Sequence, residues 1–330
     1  MATTDDIQRE EATTKDYAEY TLATGIEAGQ RLELQSNITR QMLGRVLPQQ
    51  IVSHLRSVAK KGHRPRVCDI GTGPGHWLFD ARAQLREDDI NAVLDGYDIH
   101  QELFPPEEKR KAEDVSFGEL NIHQQEHFIP LMKSKYDVVH VRYLSVAVGP
   151  DQWDGAVENC LSILKPGGIF VWEEILLEKM ELIDPEKWTN VLRMFKLNWS
   201  ILRRNDVEPK LTSLFNDNLE GVTQENFITK DLNEKWQRLQ ALNMSMASKE
   251  LVEKAVEIGE PAIKFVGLDS AEELQEILRL TQQDFNNGAM LHMPVNRWMG
   301  VLPSSSRGSG KRPEGKTKLT ESFRRWFCCK

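Results

Sequence analysis

The stretch Asp69-Ile70-Gly71-Thr72-Gly73-Pro74-Gly75 combines an acid, three glycines and a proline between a short apolar run and an amphipathic one. Glycine reaches backbone conformations closed to other residues and lets the main chain approach a ligand closely. A strand, a glycine turn and a helix in this order can serve a dinucleotide, a nucleoside triphosphate or S-adenosyl-L-methionine. The dinucleotide fingerprint requires its third glycine where His76 stands, and Pro74 removes one amide that a pyrophosphate would need. A P-loop requires Gly-Lys-Ser/Thr, which does not follow.

S-adenosyl-L-methionine has an ammonium, a carboxylate, a sulfonium and a ribose diol, but no phosphate. An acid at the strand end, Asp69, suits its cationic groups and would repel a pyrophosphate. Gly71, Thr72 and Gly73 then form the ligand-facing turn, and Gly75 lets the next helix pack on the strand. Asp98, closing the following apolar run, can accept both ribose hydroxyls. Asn121 can accept from the adenine amine, with Ile99 and Ile122 on the two faces of the ring. A nicotinamide-dependent oxidoreductase is disfavoured by His76 and Pro74.

Catalytic candidates follow from where ligands collect in open α/β sheets, beyond the carboxyl ends of the strands. His140, in Tyr136-Asp-Val-Val-His-Val-Arg142, is a candidate general base; the alternative is a buried, hydrogen-bonded histidine. Arg142 shares its face by strand alternation and is a substrate-binding candidate or a clamp on a lid carboxylate. Of Glu173 and Glu174 one should face the cleft, and Glu173 is taken as the second catalytic candidate. Tyr20 and Trp199 complete the substrate-binding candidates. Trp188, Phe195, Trp236, Met244 and Met246 either line an apolar acceptor pocket or pack a core. His123 and His127 have no partner at metal spacing, so no metal is expected.

The elements that must position these groups are short apolar strands alternating with helices, the pattern of a parallel sheet. The expected strands are 66–70, 92–99, 116–121, 136–142 and 169–175. A helix over 15–47, closed by Pro48, and a second carrying Ile51, Val52 and Leu55 precede them as a cover. The helix 152–164 ends at Lys165-Pro-Gly-Gly168. Helices over 185–204, near Leu211, over 235–259 and over 270–286 follow, the last opened by a capping box of Ser270 and Glu273. Strand-like stretches at 222–230 and 292–302 interrupt them and would complete a seven-stranded sheet whose last strand is antiparallel.

A net charge of −8 disfavours a nucleic-acid footprint. The basic residues cluster after Ser304, where eight Lys or Arg face Glu314 and Glu321. No apolar run approaches the ~20 residues of a spanning helix and the polar start lacks signal-peptide features, so a cytoplasmic or nuclear protein is expected. Four cysteines, two of them adjacent at the end, make neither a disulfide framework nor a metal site. The tail's basic, aromatic and cysteine residues would permit weak, reversible membrane contact. Phe327 stands where a prenylation box needs cysteine.

The turn Asp69 to Gly75, Tyr97-Asp98-Ile99 with Pro105-Pro106, Tyr136 to Arg142, and Leu164-Lys-Pro-Gly-Gly168 with Glu173-Glu174 together resemble fungal small-molecule methyltransferases of secondary metabolism. These share a domain with velvet-complex regulators of the LaeA type. Arg31-Leu32-Glu33-Leu34-Gln35 is similar to that family's Arg-Leu-Asp-x-Gln stretch, and the likeness spans residues 17–302. It departs at Asn121, where the family commonly has an acid, and at His123 to Gln125, where a Trp often follows.

The resemblance implies a doubly wound, seven-stranded Rossmann-like sheet. It further implies S-adenosyl-L-methionine as cofactor and methyl transfer to O, N or S of a small metabolite, with a regulatory, partner-binding protein as the alternative. The expected organisation is a flexible N-terminus (1–14), one domain over 15–303 and a basic tail (304–330). Within the domain, 15–62 is the helical cover, 66–175 the cofactor-binding core and 176–303 the lid and last strands.

Overall fold

The computed structural model describes residues 26–131, 136–149, 151–202, 207–265 and 267–304. Its main sheet has seven strands: β1 (Arg66–Ile70), β2 (Val93–Asp98), β3 (Val115–Glu119), β4 (Tyr136–Arg142), β5 (Leu164–Ile175), β7 (Glu220–Ile228) and β9 (Pro294–Val301). Their order is β3-β2-β1-β4-β5-β9-β7. The first five are parallel, while β9 runs antiparallel between β5 and β7. β6 (Glu181–Leu182) and β8 (Leu291–His292) form a separate ribbon, so the single strand expected over 292–302 is divided at Met293.

Helices cover both faces, as burial of a parallel sheet demands. On one face, Ile51, Val52 and Leu55 of α2 (Gln49–Lys60) and Trp77, Leu78 and Ala81 of α3 (His76–Glu87) pack on Val67, Val138, Val171 and Met299. On the other, Trp153 and Val157 of α6 (Trp153–Ser162) and Leu211 and Phe215 of α8 (Val207–Asn218) pack on Cys68, Val139, Phe170 and Trp298. The short α4 (Glu107–Glu113) and α5 (Gln125–Phe128) precede and follow β3 in the chain, and Phe128 of α5 joins the core with Tyr136 and Trp153.

The lid has its own core. Met194 and Leu197 of α7 (Thr189–Leu202) meet Val252 and Ala255 of α9 (Glu234–Ile258), Ile263 of α10 (Glu260–Phe265) and Leu274 and Ile277 of α11 (Ala271–Asn286). α1 (Ile26–Leu43) joins this lid to the sheet: Arg31 pairs with Glu250 of α9 at 2.8 Å, and Thr39 shares a 2.8 Å hydrogen bond with Tyr143 beyond β4.

Three boundaries differ from expectation for local reasons. The first helix ends at Leu43 because Gly44 takes φ +68°, a left-handed stop, and Pro48 opens α2 instead of closing α1. Leu164 already belongs to β5, so α6 ends at Ser162 and Lys-Pro-Gly-Gly is an irregular start of the strand. At α11 the Glu273 amide donates to Ser270 Oγ at 3.2 Å, but the Glu273 carboxylate accepts from Asp269 rather than closing the box on Ser270. The expected helical segment 15–25, the N-terminus 1–14 and the tail 305–330 lie outside the described residues.

Candidate active site

The carboxyl ends of β1, β2, β4 and β5 open into a cleft of about 790 Å³, roofed by α1 and α9. The glycine turn forms its floor. Gly71, Gly73 and Gly75 have φ of +71°, +50° and +79°, which other residues take only with strain. A Cβ on Gly71 would stand 2.7 Å from the Leu144 side chain, so the β4 loop rests directly on the turn. A Cβ on Gly75 would collide with Phe117 of β3.

The amides of the turn are already committed. Gly71 and Thr72 donate to the Tyr97 carbonyl at 2.8 and 3.0 Å, Gly73 donates to Asp98 Oδ2 at 2.8 Å, and Gly75 donates to the Thr72 carbonyl at 2.9 Å. Pro74 has no amide hydrogen. Residues 71–75 therefore offer no N–H to a phosphate, which agrees with a phosphate-free ligand.

Two carboxylates line the cleft beside this turn. Asp98 accepts from the Gly73 and His100 amides with its two oxygens, and burial pushes its carboxyl above the usual range against these donors. Each oxygen keeps a lone pair for a further donor. Asp69 is buried, and among the described residues its hydrogen bond is to His140 Nδ1 at 2.7 Å. Ile99 and Ile122 also line the cleft; Ile99 is 46% exposed, an apolar surface that a flat ring would cover. Asn121 lies beyond the end of β3, and its Oδ1 accepts from the His123 amide at 2.9 Å in a local turn. The adenine contact expected of that oxygen must use its second lone pair.

The two catalytic candidates stand behind the cleft wall. His140 is 1% exposed, stacked on Trp77 with ring centroids 3.8 Å apart, its Nε2 3.5 Å from Glu173. Glu173 is fully buried between Arg142 Nε at 2.6 Å and Arg297 Nε at 2.7 Å. Burial alone would raise its carboxyl, but the two guanidinium groups outweigh it and hold it well below the ordinary range. The register explains the row: Asp69 faces His140, Arg142 faces Glu173, Glu173 faces Arg297 and Arg297 faces Glu225 across five adjoining strands. Neither His140 nor Glu173 lines the cleft, although Asp69 and Arg142 of the same row do: His140 is covered by the Trp77 ring of α3 and Glu173 is enclosed by Arg142 and Arg297.

Glu174 is the acid of the pair that reaches the wall. Its Oε2 accepts from the Ser145 amide at 2.9 Å and the Trp172 indole at 3.3 Å, and its Oε1 from the Ile175 amide at 3.1 Å. Burial nevertheless pushes its carboxyl up to about 7. Arg142 lines the cleft and donates from Nε to Glu173 of β5 instead of to a lid carboxylate, and its Nη2 has no partner among the described residues. Tyr20 and the side chain of Trp199 lie outside the described residues. Met180, Phe195, Met244 and Met293 form an apolar end of the cleft, while Trp188 packs a small core with Val191 and Ala289. His123 donates from Nε2 to the Ala147 carbonyl at 2.7 Å, and His127 Nδ1 accepts from the Asn121 amide at 3.0 Å.

Arg297, Asn243 and Glu250 were not singled out from the sequence. A charge inside Val295-Asn-Arg-Trp-Met299 signals a buried partner; the other two sit on helical faces with no distinguishing pattern.

Residues 68–170 match the family model described as a methyltransferase domain. The chain is 33% identical over 130 residues to the methyltransferase grgD of a Penicillium species, covering 37% of this chain and 40% of that protein. It is 29% identical over 112 residues to the secondary metabolism regulator laeA of Fusarium oxysporum f. sp. lycopersici, covering 34% and 33%. The match thus spans two-fifths or less of the length of these relatives. Among solved structures, the [4+2]-cyclase SpnF overlaps 84% of this chain and 95% of its own at 16% identity and a TM-score of 0.43.

Proposed function

With residues 68–170 a methyltransferase domain, we propose that the chain transfers a methyl group from S-adenosyl-L-methionine to O, N or S of a small metabolite. The observation that carries this reading is the glycine turn whose amides are all spent on the protein while two carboxylates, Asp69 and Asp98, line the cleft beside it. That combination answers a cationic, diol-bearing, phosphate-free ligand. When bound, the cofactor supplies an electrophilic methyl group on sulfonium.

Asp69 would take the cationic end and Asp98 the ribose hydroxyls, while Ile99 and Ile122 cover the adenine ring. His140 positions Asp69: its Nδ1–H donates to the carboxylate, and the Trp77 stack fixes the imidazole plane. Positioning and exclusion of water supply most of the rate in such displacements. The lid provides both, through the apolar end of Met180, Phe195, Met244 and Met293, which suits a largely apolar acceptor. A protonated acceptor must lose a proton as its lone pair forms the new bond to carbon. Glu174, on the wall and poised near neutrality, is the group suited to receive it.

Calorimetric titration with S-adenosyl-L-methionine tests the cofactor half, and a folded protein that does not bind it overturns the reading. Mass spectrometry of extracts incubated with labelled cofactor identifies the acceptor. Two of the curated relatives are named secondary metabolism regulators, which supports a second reading, a regulator acting through protein partners. Stable co-purification with partner subunits and no labelled small molecule would favour it.

A further inference from the structure

The amino-acid end of the cofactor has an α-carboxylate as well as an ammonium, and the acids already assigned, Asp69 and Asp98, serve cationic and hydroxyl groups only. A carboxylate inside a cleft needs a fixed cation or a set of N–H donors. Lys254 lines the cleft but is spent on Glu257 at 2.9 Å and is 42% exposed. Arg142, its side chain 10% exposed and its buried Nη2 without a partner among the described residues, is the competing cation at the β4 end, bound to Glu173.

Arg31 is differently placed. Its side chain is 4% exposed; Nε donates to both oxygens of Glu250 at 2.8 Å and Nη1 donates to Gln35 Oε1 at 3.1 Å. Nη2 is buried and has no partner among the described residues. Arg31, Leu32, Gln35 and Ser36 all line the cleft, and the Leu32 side chain lies 3.9 Å from where a Cβ on Gly73 would stand. α1 therefore crosses above the glycine turn, with Arg31 beside the residue that touches it.

We infer that Arg31 receives the α-carboxylate of the cofactor through Nη2, with Glu250 and Gln35 holding the guanidinium in place. This rests on the cofactor reading above and extends it. In a residue that lines the cleft, a buried guanidinium with two of its three nitrogens bonded to protein and the third without a partner among the described residues is preorganised for one more acceptor. The carboxylate of Glu250 belongs to α9, so the arrangement makes the lid helix a support of the cofactor site as well as a wall of the acceptor site. Filling the Nη2 position would tie α1, α9 and the turn together before an acceptor enters.

The test is calorimetry on the full chain with two probes. S-adenosylhomocysteine has the amino-acid group, and 5′-methylthioadenosine retains adenine, ribose and sulfur but lacks it. Arg31→Lys keeps a cation for Glu250 and removes the Nη2 donor; Arg31→Gln removes both. The expected result is a loss of about 10- to 100-fold in affinity for S-adenosylhomocysteine in both variants, with 5′-methylthioadenosine unchanged. Equal losses for the two probes, or the selective loss appearing in Arg142→Gln and not at Arg31, overturn the assignment. Thermal melting without ligand identifies a variant that fails to fold, and the milder Arg31→Lys then decides. Wild-type protein that binds neither probe overturns the cofactor reading itself, an outcome distinct from wild-type binding that is indifferent to Arg31.

Discussion

His140 Nδ1 stands 2.7 Å from Asp69 Oδ1, and both side chains are almost fully buried behind the glycine turn. The carboxylate can only accept, so the imidazole N–H on Nδ1 donates, and the pair fixes the acid proposed to meet the cofactor. His140→Phe retains a ring to stack on Trp77 but leaves Asp69 without its donor. The expected outcome is a fall of about 10-fold in S-adenosyl-L-methionine affinity and a loss of roughly 1–3 kcal/mol in stability, read by calorimetry and urea unfolding. Intact cofactor affinity with abolished turnover would instead make His140 a base.

Glu173 is the hub of the buried ion row. Glu173→Gln leaves the guanidinium groups of Arg142 and Arg297 without their shared anion in a site from which water is excluded. Destabilisation of about 3–5 kcal/mol is expected, measured as a shift of the urea midpoint at constant slope. A neutral effect would mean that the row is not electrostatically closed.

Asp98 holds the turn through the Gly73 amide and is the proposed ribose acceptor. Asp98→Ala removes the acceptor for the Gly73 and His100 amides and the contact to the hydroxyls. Affinity for S-adenosylhomocysteine should fall by at least about 10-fold, and affinity for 5′-methylthioadenosine, which retains the ribose, should fall with it. Loss confined to the first probe would place the ribose elsewhere.

Glu174 gives a pH signature. Its carboxyl rises from an ordinary value of 4.5 to about 7 in the fold, because burial disfavours the charged form. A raised carboxyl stabilises fully below its unfolded value and loses that contribution as pH climbs through the folded value. Wild-type stability relative to Glu174→Gln should therefore decline between about pH 4.5 and 7, by on the order of 3 kcal/mol, and stay level above. A difference independent of pH in chemical unfolding series would show that Glu174 does not titrate there. Once an acceptor is known, Glu174→Gln should abolish the acidic limb of the rate profile.

Gly71→Ala imposes both left-handed strain and a clash with Leu144. The expected cost is at least 1–2 kcal/mol from the backbone conformation alone. Adding Leu144→Ala should recover the steric part and not the conformational part. Full recovery by thermal melting would show that φ at this position is unimportant.

The fold and the cofactor floor were legible because they rest on residue-specific rules. Gly71, Gly73 and Gly75 mark positive φ, Asp69 and Asp98 fall at strand ends, and β1 and β4 were placed with their observed bounds. The choice between Glu173 and Glu174 was not legible. β5 is covered on both faces, so Ile169-Phe-Val-Trp-Glu-Glu174 has no polar alternation to say which side is which. Whether His140 lines the cleft or lies buried was not legible for the same reason, since Val138-Val-His-Val141 is buried on either side. The Arg31 pair with Glu250 joins positions 219 residues apart, and no local pattern announces a contact of that range.

The insertion of β9 between β5 and β7 sets an order of events. Arg297 reaches Glu173 across 124 residues of intervening chain, so until the last strand enters the sheet a buried carboxylate lacks one of its two cations. Contacts of such sequence separation form late, after the entropy of closing the loop has been spent. During synthesis the glycine turn thus emerges long before the wall behind it can be closed by the last strand.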